Sequence, residues 1–333
     1  MRVLLVSNNG KEKGLADALQ AAGVSLVPGE IRDGQFRCED FDILLVDYPQ
    51  GWGGLKLALA KAAFERGKLV CSYPHGAGPL VQLDGIVPPC PYVDVELVPA
   101  EGFKQVYRAM GYPTRCETIG WYFCEQQDFQ NAPAGPHLLF APSHPFSGTA
   151  GTTFVPTWQE ANRKAWEQFV ELPGRKTVHL YGTWEANGIE PDERVEVSVS
   201  DLSPALALER IDEADVVISD PDTFGRLAVA RGKPTVMFGQ GIRPHSDSGD
   251  REVANWEAWR DIARYPYDAS DGPLAEVVEA ACTGDGMADW RSRFIGEQTT
   301  PERVLDRLER LLAVKQPAPP NRAARRKRQR AGG

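Results

Sequence analysis

A strand–turn–helix–strand pattern over Ala214–Gly239 constrains the fold of this chain more than any other feature. A β-branched run, Val216–Ile218, ends in the polar turn Ser219–Thr223. A helical stretch covers Phe224–Ala230, and a second apolar run covers Thr235–Phe238. Parallel strands need a crossover connection, which is usually a helix, whereas antiparallel strands can be joined by a tight turn. Two strands joined through a helix are therefore expected to lie parallel. The pattern therefore predicts a parallel sheet covered by helices.

The polar turn in this pattern predicts an anion site. It lies at the carboxyl end of its strand and at the amino end of its helix, where unpaired N–H groups and the positive end of the helix dipole favour a pyrophosphate. Asp222 or Thr223 is the expected N-cap, and Gly232 is the expected C-terminal glycine of the helix. Such turns also occur in α/β proteins that bind nothing there, so the turn alone leaves the function open.

Similar alternations of strand and helix lie on both sides of one polar segment. They predict an α/β protein with two doubly wound parallel sheets. The expected N-terminal Rossmann-like domain covers residues 1–123, and a linker rich in Pro, Gly, Asn and Gln covers 124–136. The expected C-terminal Rossmann-like domain covers 137–314, and a disordered basic tail covers 315–333. The natural ligand site in such a chain is the cleft between the two sheets.

Composition indicates a soluble protein. The chain has 333 residues, of which 42% are hydrophobic and 25% charged, and no apolar run reaches the roughly 20 residues needed to span a bilayer. Its six cysteines are scattered without a CxxC pair, which argues against a zinc site or a disulfide framework. We therefore expect reduced thiols, a cytoplasmic location, no membrane span and no bound metal.

The charge of the chain is unevenly distributed. The net charge is −9, yet residues 321–330 hold six basic residues and no acid, so the remainder is near −15. A folded surface that grips duplex DNA is usually basic, which this one is not. The basic stretch Arg322–Arg330 could tether the protein to nucleic acid or to an anionic surface, or could serve only as a solubilising tail.

Three short stretches resemble the GT-B-type glycosyltransferases and their relatives. Ile218–Thr223 with Gly232-Lys233-Pro234 is similar to the donor-binding segment of nucleotide-sugar transferases, UDP-GlcNAc 2-epimerases and CDP-glycerol glycerophosphotransferases. Leu138–His144 resembles the strand that opens their C-terminal domain. Lys68–Gly76 resembles their strand-then-His-Gly element, whose His is a proposed base in the glycerophosphotransferases.

The resemblance implies an acceptor domain followed by a donor domain, with a nucleotide-sugar co-substrate, UDP-sugar being expected, and no resident cofactor. It implies His75 as the catalytic base, and a pKa near 6.5 suits that role, although a His there could merely cap a loop. The expected donor-binding residues are Ser143, His144, Gly182, Thr183, Ser219, Asp220, Asp222, Thr223 and Arg226. The expected acceptor-side residues are Asn8, Asn9, Gly10 and Gly76.

Alternatives remain open at several of these positions. His144 and the Gly182-Thr183 pair could simply form turns. Relatives often carry a ribose-binding carboxylate in the helix after the Ser-Asp turn, where this chain has Arg226. Asp220-Pro221-Asp222 also matches the metal-binding DxD of the GT-A fold, but its position after a complete first half favours metal-independent chemistry. Trp121 follows a predicted strand, where aromatic rings often stack on sugars or bases.

The leading hypothesis is transfer of a sugar from a nucleotide-sugar to an acceptor hydroxyl, with a hydroxylated DNA base as one candidate acceptor. A second is CDP-glycerol-type phosphotransfer or 2-epimerisation of a UDP-sugar on the same frame. A third is a non-catalytic module that binds nucleotide-sugars. A nicotinamide site receives little support, because no GxGxxG follows the first strand.

Overall fold

A computed structural model of the chain describes most of its residues, in ranges separated by short gaps. The described ranges are 1–6, 13–27, 29–32, 35–38, 40–47, 54–74, 90–109, 111, 115–142, 154–199, 203–221, 223–240, 256–284 and 286–315. No described helix combines the length and the apolar character needed to cross a bilayer.

The first half is built on a parallel sheet. Its strands are β1 (Arg2–Val6), β2 (Ser25–Val27), β3 (Gly29–Arg32), β4 (Gln35–Cys38), β5 (Ile43–Asp47), β6 (Leu69–Tyr73), β7 (Val95–Val98) and β8 (Arg115–Thr118). Its helices are α1 (Lys13–Ala21), α2 (Gly54–Glu65) and α3 (Glu101–Ala109). Six strands pair in the order β2-β1-β5-β6-β7-β8, and β3 and β4 form a separate antiparallel hairpin. Every residue of β5 and β6 is buried, as expected where helices cover both faces of a sheet.

The second half carries another parallel sheet. Its strands are β9 (His137–Ala141), β10 (Arg175–Leu180), β11 (Glu196–Val199), β12 (Val216–Ser219) and β13 (Thr235–Met237), and they pair in the order β11-β10-β9-β12-β13. The helices that follow in the chain are α4 (Phe154–Phe169), α5 (Trp184–Asn187), α6 (Pro204–Glu213), α7 (Thr223–Ala230), α8 (Trp256–Ala263), α9 (Leu274–Thr283), α10 (Gly286–Phe294) and α11 (Pro301–Val314). The α7 segment connects β12 to β13, as the Ala214–Gly239 pattern predicts.

One buried cluster is shared by the two halves. Phe103 of α3 and Val98 at the end of β7 belong to the same core as Leu227 of α7 and Trp290 and Phe294 of α10. The rings of Phe103 and Phe294 lie 6.3 Å apart between centroids. Helix α3 and the end of β7 therefore pack directly on helices of the second half.

The last helix returns to the first half. Val304, Leu308 and Leu311 of α11 lie in the core that also contains Val3 and Leu15. Lys315, which follows α11, lies with its Nζ 2.5 Å from Oδ2 of Asp94. The predicted domain boundaries stay a prediction, but α11 and the first residue of the predicted tail both contact the first half.

The linker between the halves is bound along the end of α7. The amide of Gln127 donates to the carbonyl of Ala230 (3.0 Å), and the amide of Gln130 donates to the carbonyl of Gly232 (2.9 Å). Gly232 has φ +71°, and a Cβ on it would lie 2.0 Å from the carbonyl oxygen of Asp128. This close approach is one reason for a glycine at the end of α7, besides its left-handed backbone.

The predicted fold class is confirmed, because the chain has two doubly wound parallel sheets of the predicted kind. The structure also contains the β3–β4 hairpin and α10, which were not predicted from the sequence. The part of the predicted tail after Lys315 lies outside the described residues.

Candidate functional site

The candidate donor site lies where the strand order of the second sheet reverses. The chain runs outward from β9 through β10 to β11, and then returns to place β12 on the other side of β9. Ser219 pairs with Ala141 in the β12–β9 register, so the carboxyl ends of these strands lie side by side. Open α/β sheets bind ligands at such a switch point, because the loops after the two strands leave in opposite directions.

The turn after β12 and the start of α7 line this position. Ser219 and Asp220 are buried, whereas Thr223 is partly exposed. Asp222 and Thr223 were the two expected N-caps of α7. Thr223 is the first helical residue and so lies inside the helix, and Asp222 lies outside the described residues. The hydroxyl of Ser219 lies 3.4 Å from Oδ1 of Asp220. The turn beside the end of β9 therefore leads directly into the start of α7, whose unpaired amide groups suit an anion.

Gly225 brings α7 close to this turn. A Cβ at Gly225 would lie 2.7 Å from the carbonyl oxygen of Asp220 and 3.3 Å from Cε of Met237. Because real Cβ atoms do not approach a backbone oxygen so closely, only glycine allows this packing. Gly225 is not among the predicted site residues, although a glycine inside a helical pattern is a signal of close packing.

Arg226 is enclosed between the two halves. Its side chain is 2% exposed, and its Cζ lies 5.9 Å from the ring centroid of Phe103 and 5.4 Å from that of Trp290. Its Nε donates to the carbonyl of Pro221 in the turn, at 3.3 Å. The predicted donor contact of Arg226 is untested, but the structure gives this residue a position in the shared core.

Gly182 and Thr183 follow β10, which neighbours β9 on the side away from β12. Gly182 has φ +77° and Thr183 caps the short helix α5, its hydroxyl accepting from the amide of Ala186 at 3.1 Å. Both residues are exposed. The exposure of these two residues is thus compatible with a ligand contact. The capping of α5 by Thr183 is also enough to explain the turn without a ligand.

Several predicted site residues lie outside the described residues. They are Asn8, Asn9, Gly10, His75, Gly76, Ser143, His144 and Asp222. The strands that precede them end at Val6, Tyr73, Ala141 and Ser219. The acceptor-side residues and the catalytic base thus follow strands of the first sheet, and the donor residues among them follow β9 and β12.

A buried ion pair lies at the carboxyl edge of the first sheet. Lys56 in the first turn of α2 binds Asp47, the last residue of β5, and the two side chains are 4% and 2% exposed. The neighbouring hydroxyl of Tyr73 donates to the carbonyl of Val6 at 3.2 Å. The order of this sheet reverses between β1 and β5, so the pair lies at the second switch point of the chain. A lysine within the apolar run of α2 is the sequence signal for it.

Glu96 on β7 is a further polar group of the first sheet. It accepts hydrogen bonds from the hydroxyls of Ser72 and Tyr107, and burial raises the pKa of its carboxyl group to about 7.

Trp121, expected to stack on a sugar or base, is instead fully buried in the shared core, with its Nε1 3.4 Å from Sγ of Cys124. That expectation is wrong, because the segment after β8 runs into the contact between the halves.

A cavity of about 610 Å³ lies beside the linker, away from the β12 turn. Its lining includes Ala100 and Thr118 of the first half, Phe129 of the linker, Arg291 of α10 and Arg303 of α11. Arg291 donates to the carbonyl of Gln127 at 2.6 Å, and Arg303 pairs with Glu297. These arginines bind protein groups, so the cavity gives no separate indication of the donor site.

No group of three His, Cys, Asp or Glu side chains suited to a metal ion occurs among the residues that the structure describes. The carboxylate of Asp222 and the imidazoles of His75 and His144 fall outside that part of the chain. Metal independence therefore stays a prediction.

Sequence comparison gives no relative: no protein-family profile and no curated protein matches the chain. Structural comparison gives several. The glycosyltransferase SnogD from Streptomyces nogalater is similar over 94% of this chain and 99% of its own, with 15% identity and a TM-score of 0.51. The spinosyn rhamnosyltransferase SpnG is similar over 93% and 100%, with 13% identity and a TM-score of 0.51.

A third similar structure is a putative UDP-N-acetylglucosamine 2-epimerase from Listeria monocytogenes. It matches over 92% of this chain and 95% of its own, with 12% identity and a TM-score of 0.54. At such low identity these likenesses concern the fold and not the activity. They agree with the strand orders described above, and the chain accordingly has the GT-B-type fold that its sequence resembles.

Proposed function

We propose that this protein is a glycosyltransferase that moves a sugar from a nucleotide-sugar to an acceptor hydroxyl. The observation that carries the proposal is the β9–β12 switch point, where the Ser219-Asp220 turn lies beside the end of β9 and leads into the start of α7. A diphosphate leaving group at this position would be stabilised by helix amides, with no reorganisation during transfer. Two of the three structures named above are glycosyltransferases built on this fold, so the fold is compatible with the proposed activity.

The remaining roles follow from the strand ends. Thr223 and the residues near it bind the donor diphosphate, and Ser143, His144, Gly182 and Thr183 contribute from the neighbouring strand ends. His75 follows β6 of the first half and acts as the base that removes the acceptor proton. Closure of the two halves excludes water and limits hydrolysis of the donor.

The donor is identified by thermal unfolding with UDP-, GDP-, CDP- and dTDP-sugars. A ligand that binds only the folded state stabilises it by RT ln(1 + [L]/Kd), about 2.7 kcal/mol at a hundredfold excess over Kd. Sugars of one nucleotide class should raise the melting temperature. The nucleotide-sugar that does so should also be consumed when it is incubated with the protein and a mixture of acceptors. A panel in which no nucleotide-sugar shifts the transition would contradict the proposal.

The base assignment has its own test. His75→Ala should lower transfer by a factor of about 10²–10⁴ and leave donor Kd unchanged. His137→Gln is the matched control, because His137 lies at the amino end of β9 and its ring nitrogens contact Glu213 and Thr177. Unchanged transfer by His75→Ala with normal donor binding would show that the base is another residue.

Epimerisation is the second candidate, favoured by the similarity to the Listeria protein. An epimerase changes a UDP-sugar without any acceptor, whereas a transferase releases the nucleotide only when it transfers or hydrolyses the sugar. Incubation with UDP-GlcNAc alone, followed by separation of sugar epimers, distinguishes the two. A rise in melting temperature with CDP-glycerol would favour phosphotransfer. Binding of a nucleotide-sugar without any turnover would favour a non-catalytic binding module.

The acceptor is proposed at a finer level. A hydroxylated DNA base would suit a protein whose basic segment Arg322–Arg330 holds it on the polymer. Deletion of 317–333 should then weaken DNA binding, and the loss should shrink as salt rises because each counterion released from the DNA gains less entropy at higher salt. DNA binding that is unchanged by the deletion would show that the tail takes no part in acceptor recognition.

Cytoplasmic localisation belongs to the same proposal, since the nucleotide-sugar and the acceptor are both expected there.

A further inference from the structure

Arg226 contacts the first half and also the turn Ser219–Pro221 after β12, which we call the donor turn. Its Nε donates to the carbonyl of Pro221, one residue after Asp220, at 3.3 Å. Its guanidinium contacts the ring of Phe103, which belongs to α3 of the first half, and also the ring of Trp290 in α10. The turn and the first half are therefore separated by the width of one side chain.

The chemistry of the side chain makes this contact specific. A guanidinium removed from water needs hydrogen-bond acceptors and is attracted to the faces of aromatic rings. Here a turn carbonyl supplies one acceptor, and residues from two different parts of the chain supply the rings. A shift of α3 relative to α7 would move a ring away from the guanidinium, and the guanidinium would have to move with it or lose the contact.

We propose that Arg226 is a positioning residue that couples the packing of the first half to the conformation of the donor turn. The proposal rests on the proposed function, because the turn is the expected diphosphate site. Arg226 itself is buried and need not touch the donor. Its effect on donor binding is transmitted through the Pro221 carbonyl and the start of α7.

The competing explanation is that Arg226 only fills space in the shared core. In that case its loss would destabilise the protein without a selective effect on the turn. Arg226→Met keeps a flexible side chain of similar length and removes the Nε donor. Ile211→Ala removes packing from the same core on α6, where Ile211 is fully buried, and is the matched control. Phe103→Leu removes the ring contact from the side of the first half.

The test combines amide hydrogen exchange of residues 219–225 with the Kd of the best donor from the thermal panel. In the free protein, Arg226→Met should accelerate exchange in this segment about threefold or more, because local opening becomes easier, and Ile211→Ala should not. Phe103→Leu should accelerate exchange in the same segment although it lies in the other half. Combined with Arg226→Met, it should add nothing, since both changes break one connection.

Donor affinity gives the second readout. Arg226→Met and Phe103→Leu should each weaken donor binding about tenfold at a temperature where every variant is folded, and Ile211→Ala should leave it unchanged. Additive effects of Arg226→Met and Phe103→Leu, or equal effects of the Ile211→Ala control, would overturn the coupling. A wild-type protein that binds no nucleotide-sugar would overturn the proposed function, while the exchange measurements would still decide whether Arg226 couples the halves.

Discussion

Glu96 makes stability depend on pH in the direction opposite to most carboxyl groups. Burial raises its pKa from 4.5 to about 7, so the folded state keeps a proton that the unfolded state loses between these values. Its contribution to the free energy of unfolding therefore decreases as pH rises from about 4.5 to 7, and is constant outside that window.

Glu96→Gln should remove this decrease and should make the protein more stable than wild type at pH 8, because no buried charge forms. Denaturant unfolding from pH 4.5 to 8 measures the change. Glu101→Gln is the control, because a hydrogen bond from Lys104 lowers the pKa of Glu101 and its removal should cost stability at high pH. A wild-type slope retained in Glu96→Gln would contradict the assignment.

The Asp47–Lys56 pair gives a second prediction at this scale. Lys56→Met should cost about 3–5 kcal/mol, because it removes the ammonium group that neutralises the buried Asp47 carboxylate. Asp47→Asn combined with Lys56→Met should recover much of that loss. Lys13→Met breaks an exposed pair with Asp17 and should change stability by less than about 1 kcal/mol. Equal effects of Lys56→Met and Lys13→Met in urea unfolding would show that the burial of the pair has no energetic consequence.

At the scale of the element, α7 combines a tight start with a fixed end. Gly225→Ala places a Cβ about 2.7 Å from the carbonyl of Asp220, so the turn and the helix have to separate. We expect weaker donor binding, by about tenfold, together with a loss of stability. Gly54→Ala, at the start of α2 with open space around it, is the matched control and should be neutral or slightly stabilising. Donor binding by Gly225→Ala equal to wild type would place the donor elsewhere.

The strength of the sequence prediction differed between elements for physical reasons. The β12–α7–β13 unit was predictable because its apolar runs, turn and closing glycine are all local signals. The β3–β4 hairpin was missed, although Asp33-Gly34 between its strands is a typical two-residue turn sequence. The burial of Arg226 could not be predicted, because its ring partners lie 123 residues before it and 64 residues after it in the chain.

At the scale of the whole molecule, the two halves are joined by more than a linker. Apolar residues at helical spacing over α11 indicate a helix from the sequence alone, but periodicity gives only an apolar face and not the surface that covers it. Val304, Leu308 and Leu311 turned out to pack on the first sheet. The pairing of distant faces depends on the assembled shape of the chain, which local patterns do not contain.

Truncation tests this arrangement. Removal of residues 316–333 should leave thermal stability unchanged, because the chain is cut after the Lys315–Asp94 contact. Removal of 301–333 should unfold or precipitate the protein, since it exposes the core under three apolar side chains worth roughly 1.5–3 kcal/mol each. Circular dichroism melting of both truncations gives the answer, and a stable, soluble protein ending at Thr300 would contradict the assigned packing of α11.

The return of α11 also has a consequence for biosynthesis. Domains usually begin to fold as they emerge from the ribosome, the N-terminal one first. Here the first sheet cannot complete its hydrophobic interior until Val304–Leu311 has left the exit tunnel, after the entire second sheet has been translated. A nascent chain paused before that point exposes an apolar surface, and such surfaces make partly folded chains prone to aggregation.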